Sequence, residues 1–253
     1  MMTDELEGRL ALVTGGGRGI GRAISLALAA DGADVAVSYR RDADAADETV
    51  REIEGLGRRA RAYQASIDAL EDAERLIAGI GDDFGRLDVL VNNAGVASRG
   101  RAVADTDPDE VGRLLATHAI GAHHLCRLAI PLLRERSRGD IVFISSVATD
   151  RMAANGAPYN MGKAAMEALA ATLAKEERDH GIHVNIVAPG LVETEMGRRL
   201  VKARGVDDIR QLDETMPFGR VCRPEDVAGV VRFLVSDAAG YVTGERIRVH
   251  GGD

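Results

Sequence analysis

The chain has 253 residues, of which 45% are hydrophobic and 28% charged, and this composition argues against a disordered protein. Its formal net charge of -8 at pH 7 disfavours nucleic-acid binding, which usually requires a basic face. No stretch is long and apolar enough to cross a bilayer, and the acidic N-terminus does not resemble a secretion signal. We therefore expect a cytoplasmic protein with a single domain over residues 1–253.

Short β-branched segments alternate with longer segments of helical periodicity along the chain. This alternation is typical of βαβ units, which build a parallel sheet covered by helices on both faces. The prediction is an α/β fold with one doubly wound, Rossmann-type parallel sheet of about seven strands. The predicted strands cover residues 10–13, 35–37, 59–65, 89–91, 141–144, 184–187 and 247–249, and the segment 59–65 is the weakest of them.

The first predicted strand ends in a glycine-rich turn, TGGGRGIG at residues 14–21, and an Ala/Leu-rich helical segment follows over residues 22–30. Glycines permit a tight turn and let the backbone approach a pyrophosphate, while the N-terminus of a helix offers free N–H groups to an anion. A merely flexible turn is the alternative, but it does not require a strand before it and a helix after it. The order of the three elements predicts a dinucleotide site with the spacing T-G-x-x-x-G-x-G, not G-x-G-x-x-G.

This spacing resembles the cofactor turn of the short-chain dehydrogenase/reductase superfamily, and the resemblance continues along essentially the whole chain. The motif N-N-A-G stands at residues 92–95, P-G-x-x-x-T at 189–194 and Y-x-x-x-K at 159–163, with Ser146 placed 13 residues before Tyr159. The C-terminal part, residues 224–252, is similar to the branch that contains 3-oxoacyl carrier-protein reductases. The resemblance implies a dinucleotide site formed by Gly15, Arg18, Gly19, Ile20, Gly21, Tyr39, Arg40, Ser66, Ile67, Asn93, Ala94, Gly95, Tyr159, Lys163, Pro189, Gly190, Val192 and Thr194.

Three residues are the predicted catalytic group. Hydride transfer to a ketone requires a proton donor, and a tyrosine with a pKa of ~10 is a reluctant acid–base at neutral pH. Tyr159 and Lys163 stand four residues apart in a helical segment, so we expect the ammonium to lower the pKa of the phenol. The Ser146 hydroxyl would hold the substrate carbonyl oxygen, and the resemblance implies that Lys163 also binds the nicotinamide ribose. The alternative is that this spacing of Tyr and Lys occurs by chance, in which case Tyr159 is a half-buried ring and Lys163 is its solvated neighbour.

The end of the second strand decides which dinucleotide we expect. NAD-selective sites place a carboxylate there to bind the ribose, whereas NADP sites place a basic group there. Here Tyr39 is followed by Arg40, and Arg18 stands in the glycine turn, so the sequence predicts NADP(H) over NAD(H). Alternatively, Arg40 and Arg41 begin a solvated charged segment. Ser66 stands where relatives often have an acidic residue, and its hydroxyl can accept a hydrogen bond from the adenine amino group.

His118 stands where many relatives have an asparagine that helps to hold a water beside the catalytic lysine. A histidine can bond a water and shuttle protons, or it can simply pack in the core. The other histidines, including His123 and His124, show none of the spacings of a metal site, so no metal is expected.

The expected activity is that of an NADP(H)-dependent ketoreductase acting on a small carbonyl or alcohol substrate, with an acyl thioester among the candidates. A dehydrogenase of a sugar, steroid or other secondary alcohol is the first alternative, and a non-catalytic dinucleotide-binding sensor or scaffold is the second. The resemblance implies a homotetramer. Arg134, Arg136 and Arg138 lie near the position of basic docking residues in the carrier-protein reductases, or else they form a solvated helix end. Residues 191–217, the least regular segment, are a candidate substrate-covering segment.

Overall fold

The computed structural model describes residues 5–252, and within them seven parallel strands form one sheet. The strand order is β3-β2-β1-β4-β5-β6-β7, so neighbouring strands are joined by crossovers. This confirms the predicted doubly wound α/β fold, and each predicted strand overlaps an observed one. The strands are β1 (Leu10–Thr14), β2 (Asp34–Tyr39), β3 (Ala60–Gln64), β4 (Val89–Asn92), β5 (Gly139–Ile144), β6 (Ile182–Pro189) and β7 (Arg246–Val249).

Helices cover both faces of the sheet, which explains why the central strands are continuous apolar runs. Every residue of β1, β4 and β5 is buried, whereas the edge strand β3 is largely part-exposed. The helices are α1 (Gly19–Ala30), α2 (Ala43–Gly55), α3 (Leu70–Phe84), α4 (Pro108–Leu115), α5 (Gly121–Arg134), α6 (Ala148–Arg151), α7 (Ala157–Glu177), α8 (Glu195–Lys202) and α9 (Pro224–Val235). In the part of the chain that the structure describes, no helix is long and apolar enough to cross a membrane.

Two hydrophobic clusters lie on opposite sides of the sheet. On one side α1, α2 and α9 pack against it, with Leu28 and Val231 among the buried side chains. On the other side α3, α5 and α7 pack against it, with Leu125 and Met166 buried there. Because these layers leave the ends of the strands uncovered, the loops after the strands are where the chain can receive a ligand.

The strand order reverses between β1 and β4, which creates a crevice at the carboxyl ends of the strands. The glycine turn follows β1, the N-N-A-G motif lies at the end of β4, and Ser146 follows β5. All three therefore lie at the same edge of the sheet.

Two features of the fold were not predicted. A five-residue π-helical segment, Ala116–Ile120, joins α4 to α5 and contains His118. Residues 191–217 include α8, which Thr194 caps by accepting a hydrogen bond from the Gly197 N–H at 3.1 Å. This segment also has a small hydrophobic cluster of its own around Val201 and Ile209.

Candidate active site

Ser146, Tyr159 and Lys163 come together at the carboxyl end of β5. Ser146 lies two residues beyond this strand, while Tyr159 and Lys163 lie on one face of α7, as predicted. The Lys163 Nζ is 5.9 Å from the centre of the Tyr159 ring and donates a hydrogen bond of 2.7 Å to the Ile144 carbonyl oxygen. The ammonium is thus anchored to the end of β5, next to the phenol.

The backbone around Ser146 orients its hydroxyl. The Ser146 Oγ accepts a hydrogen bond of 3.2 Å from the Ala148 N–H, and the Ser146 carbonyl oxygen accepts one of 2.9 Å from the Thr149 Oγ1. Because one lone pair of the Ser146 hydroxyl is taken by a backbone donor, its proton is directed elsewhere. The hydroxyl is therefore prepared to donate a hydrogen bond to an oxygen in the crevice.

The pKa of Tyr159 departs from the sequence-based expectation. Burial raises the pKa of the phenol, and contact with the Ser146 hydroxyl opposes this change. Burial also lowers the pKa of Lys163 to about 7, against the field of Glu167. The expected lowering of the Tyr159 pKa by a nearby ammonium was wrong, because burial of the phenol is the larger effect.

His118 is buried beside the catalytic pair. Its ring meets the Tyr159 ring edge to face, with centroids 5.4 Å apart, and its Nε2 lies 2.9 Å from the Val96 carbonyl oxygen. Because a carbonyl can only accept, Nε2 carries the proton and Nδ1 is an acceptor, and within residues 5–252 Nδ1 has no partner. Burial lowers the pKa of His118 to about 3, so the ring is neutral at pH 7.

The glycine turn has the conformation that a phosphate cradle requires. Gly15 has a φ of +63°, and a Cβ at Gly21 would lie only 2.2 Å from the Gly15 carbonyl oxygen. Helix α1 begins at Gly19, and no side chain caps its N-terminus. The free N–H groups at the start of α1, with Ile20 in its first turn, therefore face the crevice as an anion site.

A brace behind the turn connects β1 to β4. The Thr14 Oγ1 accepts hydrogen bonds of 2.9 Å from the N–H groups of Asn93 and Ala94. The Asn93 Nδ2 donates to the carbonyl oxygens of Thr14 and Gly15, at 2.8 and 3.3 Å. Asn93 thus acts on the shape of the glycine turn itself.

The last part of the N-N-A-G motif approaches the catalytic group. A Cβ at Gly95 would lie 2.8 Å from the His118 Cε1 and 3.7 Å from the Lys163 Nζ. Any side chain at this position would displace His118, so glycine lets α4–α5, α7 and β4 meet closely.

Basic groups surround the end of β2. Arg40 is exposed directly after Tyr39, and Arg18 is exposed in the glycine turn, where its Nη1 lies 3.3 Å from the Glu195 Oε2. The first carboxylate after the strand, Asp42, is used as the N-cap of α2 and accepts a hydrogen bond from the Ala45 N–H at 3.2 Å. Between the end of β2 and Asp42 the chain carries two arginines, Arg40 and Arg41.

The adenine end of the predicted site lies after β3. The Ser66 Oγ donates to the Asp68 Oδ1 at 2.6 Å, which leaves lone pairs of the hydroxyl free to accept a hydrogen bond, as the sequence suggested. Ile67 is buried next to it and packs against Gly121.

The motif after β6 lies next to the glycine turn. Pro189 ends the strand, and the Gly190 N–H donates to the Val249 carbonyl oxygen at 3.0 Å. Val192 is buried, and the methyl group of Thr194 lies 3.4 Å from the position that a Cβ on Gly19 would occupy. Residues 191–217 therefore begin in contact with the phosphate cradle.

Comparisons with known proteins identify the family of the chain. Residues 15–253 match the family described as enoyl-(acyl carrier protein) reductase. A cyclohexanol dehydrogenase from Rhodococcus sp. is 39% identical, covering 99% of this chain and 98% of its own. A 3-oxoacyl-[acyl-carrier-protein] reductase from Synechocystis sp. is 37% identical, covering 98% of this chain and 97% of its own. The crystal structure of a short chain dehydrogenase from Burkholderia cenocepacia J2315 in complex with NADP is similar with a TM-score of 0.89, 34% identity and 98% of each chain covered.

The chain belongs to the short-chain dehydrogenase/reductase family. It is accordingly an oxidoreductase that acts on CH–OH donors with a nicotinamide cofactor. Thr14 of this dehydrogenase/reductase is also a site residue, although the sequence motif did not predict a role for its side chain. The sequence did indicate such a role, because a hydroxyl at the end of a buried strand needs hydrogen-bond partners.

The structure also corrects the interpretation of three arginines of this dehydrogenase/reductase. Helix α5 ends at Arg134, whose guanidinium forms two hydrogen bonds of 2.8 and 2.7 Å with Glu177. Arg138, instead of lying free at a helix end, donates to Asp140 and to the Ser236 carbonyl oxygen at 2.8 Å. Arg136 lies 3.3 Å from Glu135. Arg138 therefore does not belong to a solvated helix end, whereas Arg134 is the last residue of α5. Docking of a carrier protein at these residues stays a prediction.

Proposed function

We propose that this protein is an NADP(H)-dependent ketoreductase, similar to the 3-oxoacyl carrier-protein reductases, that reduces a small carbonyl substrate. The observation that carries the proposal is the meeting of Ser146, Tyr159 and Lys163 at the same sheet edge as the glycine turn. The trio supplies a hydrogen-bond donor, a proton donor and a cation, which carbonyl reduction requires.

The chain's own residues fit a dinucleotide. Gly21 lets the Gly15 carbonyl oxygen and the Asn93 side chain pack against the start of α1, whose N-terminus is uncapped. When bound, NADP(H) supplies or accepts the hydride. The turn and α1 would hold its pyrophosphate, Ser66 its adenine, and the segment from Pro189 to Thr194 its nicotinamide half.

The catalytic residues act in sequence on the carbonyl oxygen. The Ser146 hydroxyl donates a hydrogen bond that polarises the carbonyl, and the Tyr159 hydroxyl transfers its proton to the oxygen as negative charge develops there. Lys163 uses one N–H for the Ile144 carbonyl and has its others for the ribose and the phenol. At neutral pH the Tyr159 phenol carries the proton that reduction requires, because burial raises its pKa further above the ordinary value.

Tyr159→Phe tests this assignment. It removes the transferable proton but keeps the ring, so turnover should fall by about 1000-fold or more while NADPH still binds. An active Phe variant would remove Tyr159 from the mechanism.

Arg18 and Arg40 support NADP(H) over NAD(H). Arg40 is exposed directly after β2, Arg18 is exposed in the glycine turn, and the first carboxylate after β2, Asp42, is occupied as a helix cap. We expect kcat/KM for NADPH to exceed that for NADH by at least about 10-fold, and Arg40→Ala to reduce this ratio with little effect on NADH. Equal kcat/KM values for the two cofactors would defeat the preference.

A dehydrogenase of secondary alcohols is the second candidate. The 39% identity to a cyclohexanol dehydrogenase supports it, and the same three residues would run the reaction in the oxidative direction. The intact catalytic group weighs against a non-catalytic sensor or scaffold. Oxidation of cyclic alcohols with NADP, faster than reduction of any ketone, would favour the dehydrogenase.

We propose that residues 191–217 are the substrate-covering segment. Their small hydrophobic cluster is separate from the two main clusters, and they contact the glycine turn through Thr194 and Glu195. Hydrogen exchange in this segment should slow when NADPH and a substrate analogue are added together. Unchanged exchange would reject the covering role.

A homotetramer is the proposed assembly. An apolar cleft of about 420 Å³ lies between the start of α7 and the loop before it, and Met152 and Met161 are exposed in it. Light scattering should give four times the mass of the 26.9 kDa chain, and Met161→Lys should lower it. A monomer at working concentration would contradict this assembly.

A further inference from the structure

Arg246 connects the last strand to the loop that carries Ser146. Its Nη2 donates hydrogen bonds to the Ser146 carbonyl oxygen at 3.1 Å and to the Thr149 Oγ1 at 2.7 Å, and its Nη1 donates to the Asp150 Oδ2 at 3.0 Å. A guanidinium is planar with donors in a fixed fork, so these bonds restrain the loop in more than one direction.

Glu167 completes the connection from the catalytic helix. It lies one helical turn beyond Lys163 on α7, and its Oε1 accepts a hydrogen bond of 2.9 Å from the Arg246 Nε. The Thr149 hydroxyl lies 2.9 Å from this oxygen and 2.9 Å from the Ser146 carbonyl oxygen, and it donates its single proton to one of them at a time. The hydroxyl of Ser145 donates to the Glu167 Oε1. The loop after β5 is thus held between β7 and α7, the helix that carries the other two catalytic residues.

We propose that Arg246 and Glu167 form a positioning pair that fixes the Ser146 hydroxyl relative to Tyr159 and Lys163. The proposal rests on the proposed function, in which Ser146 contacts the substrate carbonyl. Both side chains are largely shielded, with 20% of Arg246 and 18% of Glu167 exposed, so the pair is less screened than a surface ion pair.

The arrangement predicts a loss in kcat. A hydroxyl displaced by about 1 Å loses much of its bond to the developing alkoxide, so Arg246→Ala should lower kcat by about 10- to 100-fold. The affinity for NADPH should stay within about 2-fold, because the side-chain hydrogen bonds of Arg246 go to Glu167 and to the loop of Ser146, neither of which is assigned to the dinucleotide.

Arg248→Ala is the matched control. Arg248 lies two residues further along β7 and also approaches Asp150, at 3.8 Å, but it is 56% exposed. Among the hydrogen bonds of residues 5–252, it makes none to Ser146 or Glu167. Its kcat should stay within about 2-fold of the wild-type value.

A double-mutant cycle separates positioning from stability. If Arg246 acts through Ser146, adding Arg246→Ala to Ser146→Ala should lower kcat by less than about 3-fold, although each single change costs far more. If Arg246→Ala does not fold, Arg246→Lys, which keeps the charge but not the planar fork of donors, replaces it in the same cycle, with an expected single loss of about 10-fold.

Independent, multiplying losses would overturn the positioning pair, as would a single variant that lowers only the Tm with kcat unchanged. Full turnover of Ser146→Ala would instead remove Ser146 from the proposed mechanism, and the positioning pair would fall with it. The two failures are therefore distinguishable in one set of proteins.

Discussion

Replacing His118 with asparagine should make the folded protein less sensitive to acid. The wild-type ring is 1% exposed, and burial holds its pKa at about 3, against an ordinary value of 6.5. Below pH 6.5 the unfolded chain therefore takes up a proton that the folded protein does not. The free energy of unfolding must fall as the pH falls from about 6.5 towards 3.

The size of the effect follows from the two pKa values. At pH 5, about 1.5 pH units below the unfolded value, the lost stability from this one side chain is about 2 kcal/mol, and at pH 7.5 it is close to zero. His118→Asn has no titrating ring, so between these pH values its stability should fall by about 2 kcal/mol less than that of the wild type. A cavity left by the smaller side chain lowers the stability of the variant by the same amount at both pH values. It therefore cancels when the free energy of unfolding at one pH is subtracted from that at the other.

Urea unfolding at the two pH values, at one fixed protein concentration, measures this difference. His123→Asn is the matched control, because it makes the same side-chain change at an exposed position of α5. Equal acid sensitivity of the wild type and His118→Asn would show that the buried ring accepts a proton. It would then restore His118 as a candidate proton carrier.

Two further predictions concern the cofactor turn. Gly21→Ala places a methyl group 2.2 Å from the Gly15 carbonyl oxygen and should weaken NADPH binding by about 100-fold or more in titration calorimetry, whereas Gly229→Ala, with open space around its Cβ, should not. Unchanged NADPH affinity in Gly21→Ala would show that the turn is not the cradle. Thr14→Val leaves the Ala94 N–H without its side-chain acceptor and the Asn93 N–H with only the Val91 carbonyl oxygen, so it should lower the free energy of unfolding by about 2 kcal/mol in urea. A loss below about 0.5 kcal/mol would contradict the brace.

The fold could be predicted because its strands are buried on both faces. Continuous apolar runs such as β4 and β5 stand out from the amphipathic helices between them, so their positions agree to within a few residues. The prediction of the edge strand β3 was the weakest, because this strand pairs only with β2 and its side chains are not fully buried. The π-helical segment Ala116–Ile120 has no such signal in the sequence.

The candidate site was predictable where it is local in sequence. The glycine turn and the Tyr159–Lys163 spacing each lie within a few residues, so a motif captures them. The contacts of Arg246 with Glu167 and Ser146 join residues 79 and 100 positions apart, and no pattern along the chain indicates them. The Tyr159 pKa also depends on burial, which spacing alone does not give.

NADPH oxidation by the wild-type protein is the measurement that tests the central claim most directly. Loss of cofactor absorbance would be followed with 3-oxoacyl thioesters, diketones and aromatic ketones, with NADH in parallel and Tyr159→Phe as the inactive reference. We predict a clear NADPH-dependent rate with at least one ketone and none in the variant. Tight NADPH binding without turnover of any of these ketones, or of cyclic alcohols with NADP, would contradict the assignment as a ketoreductase.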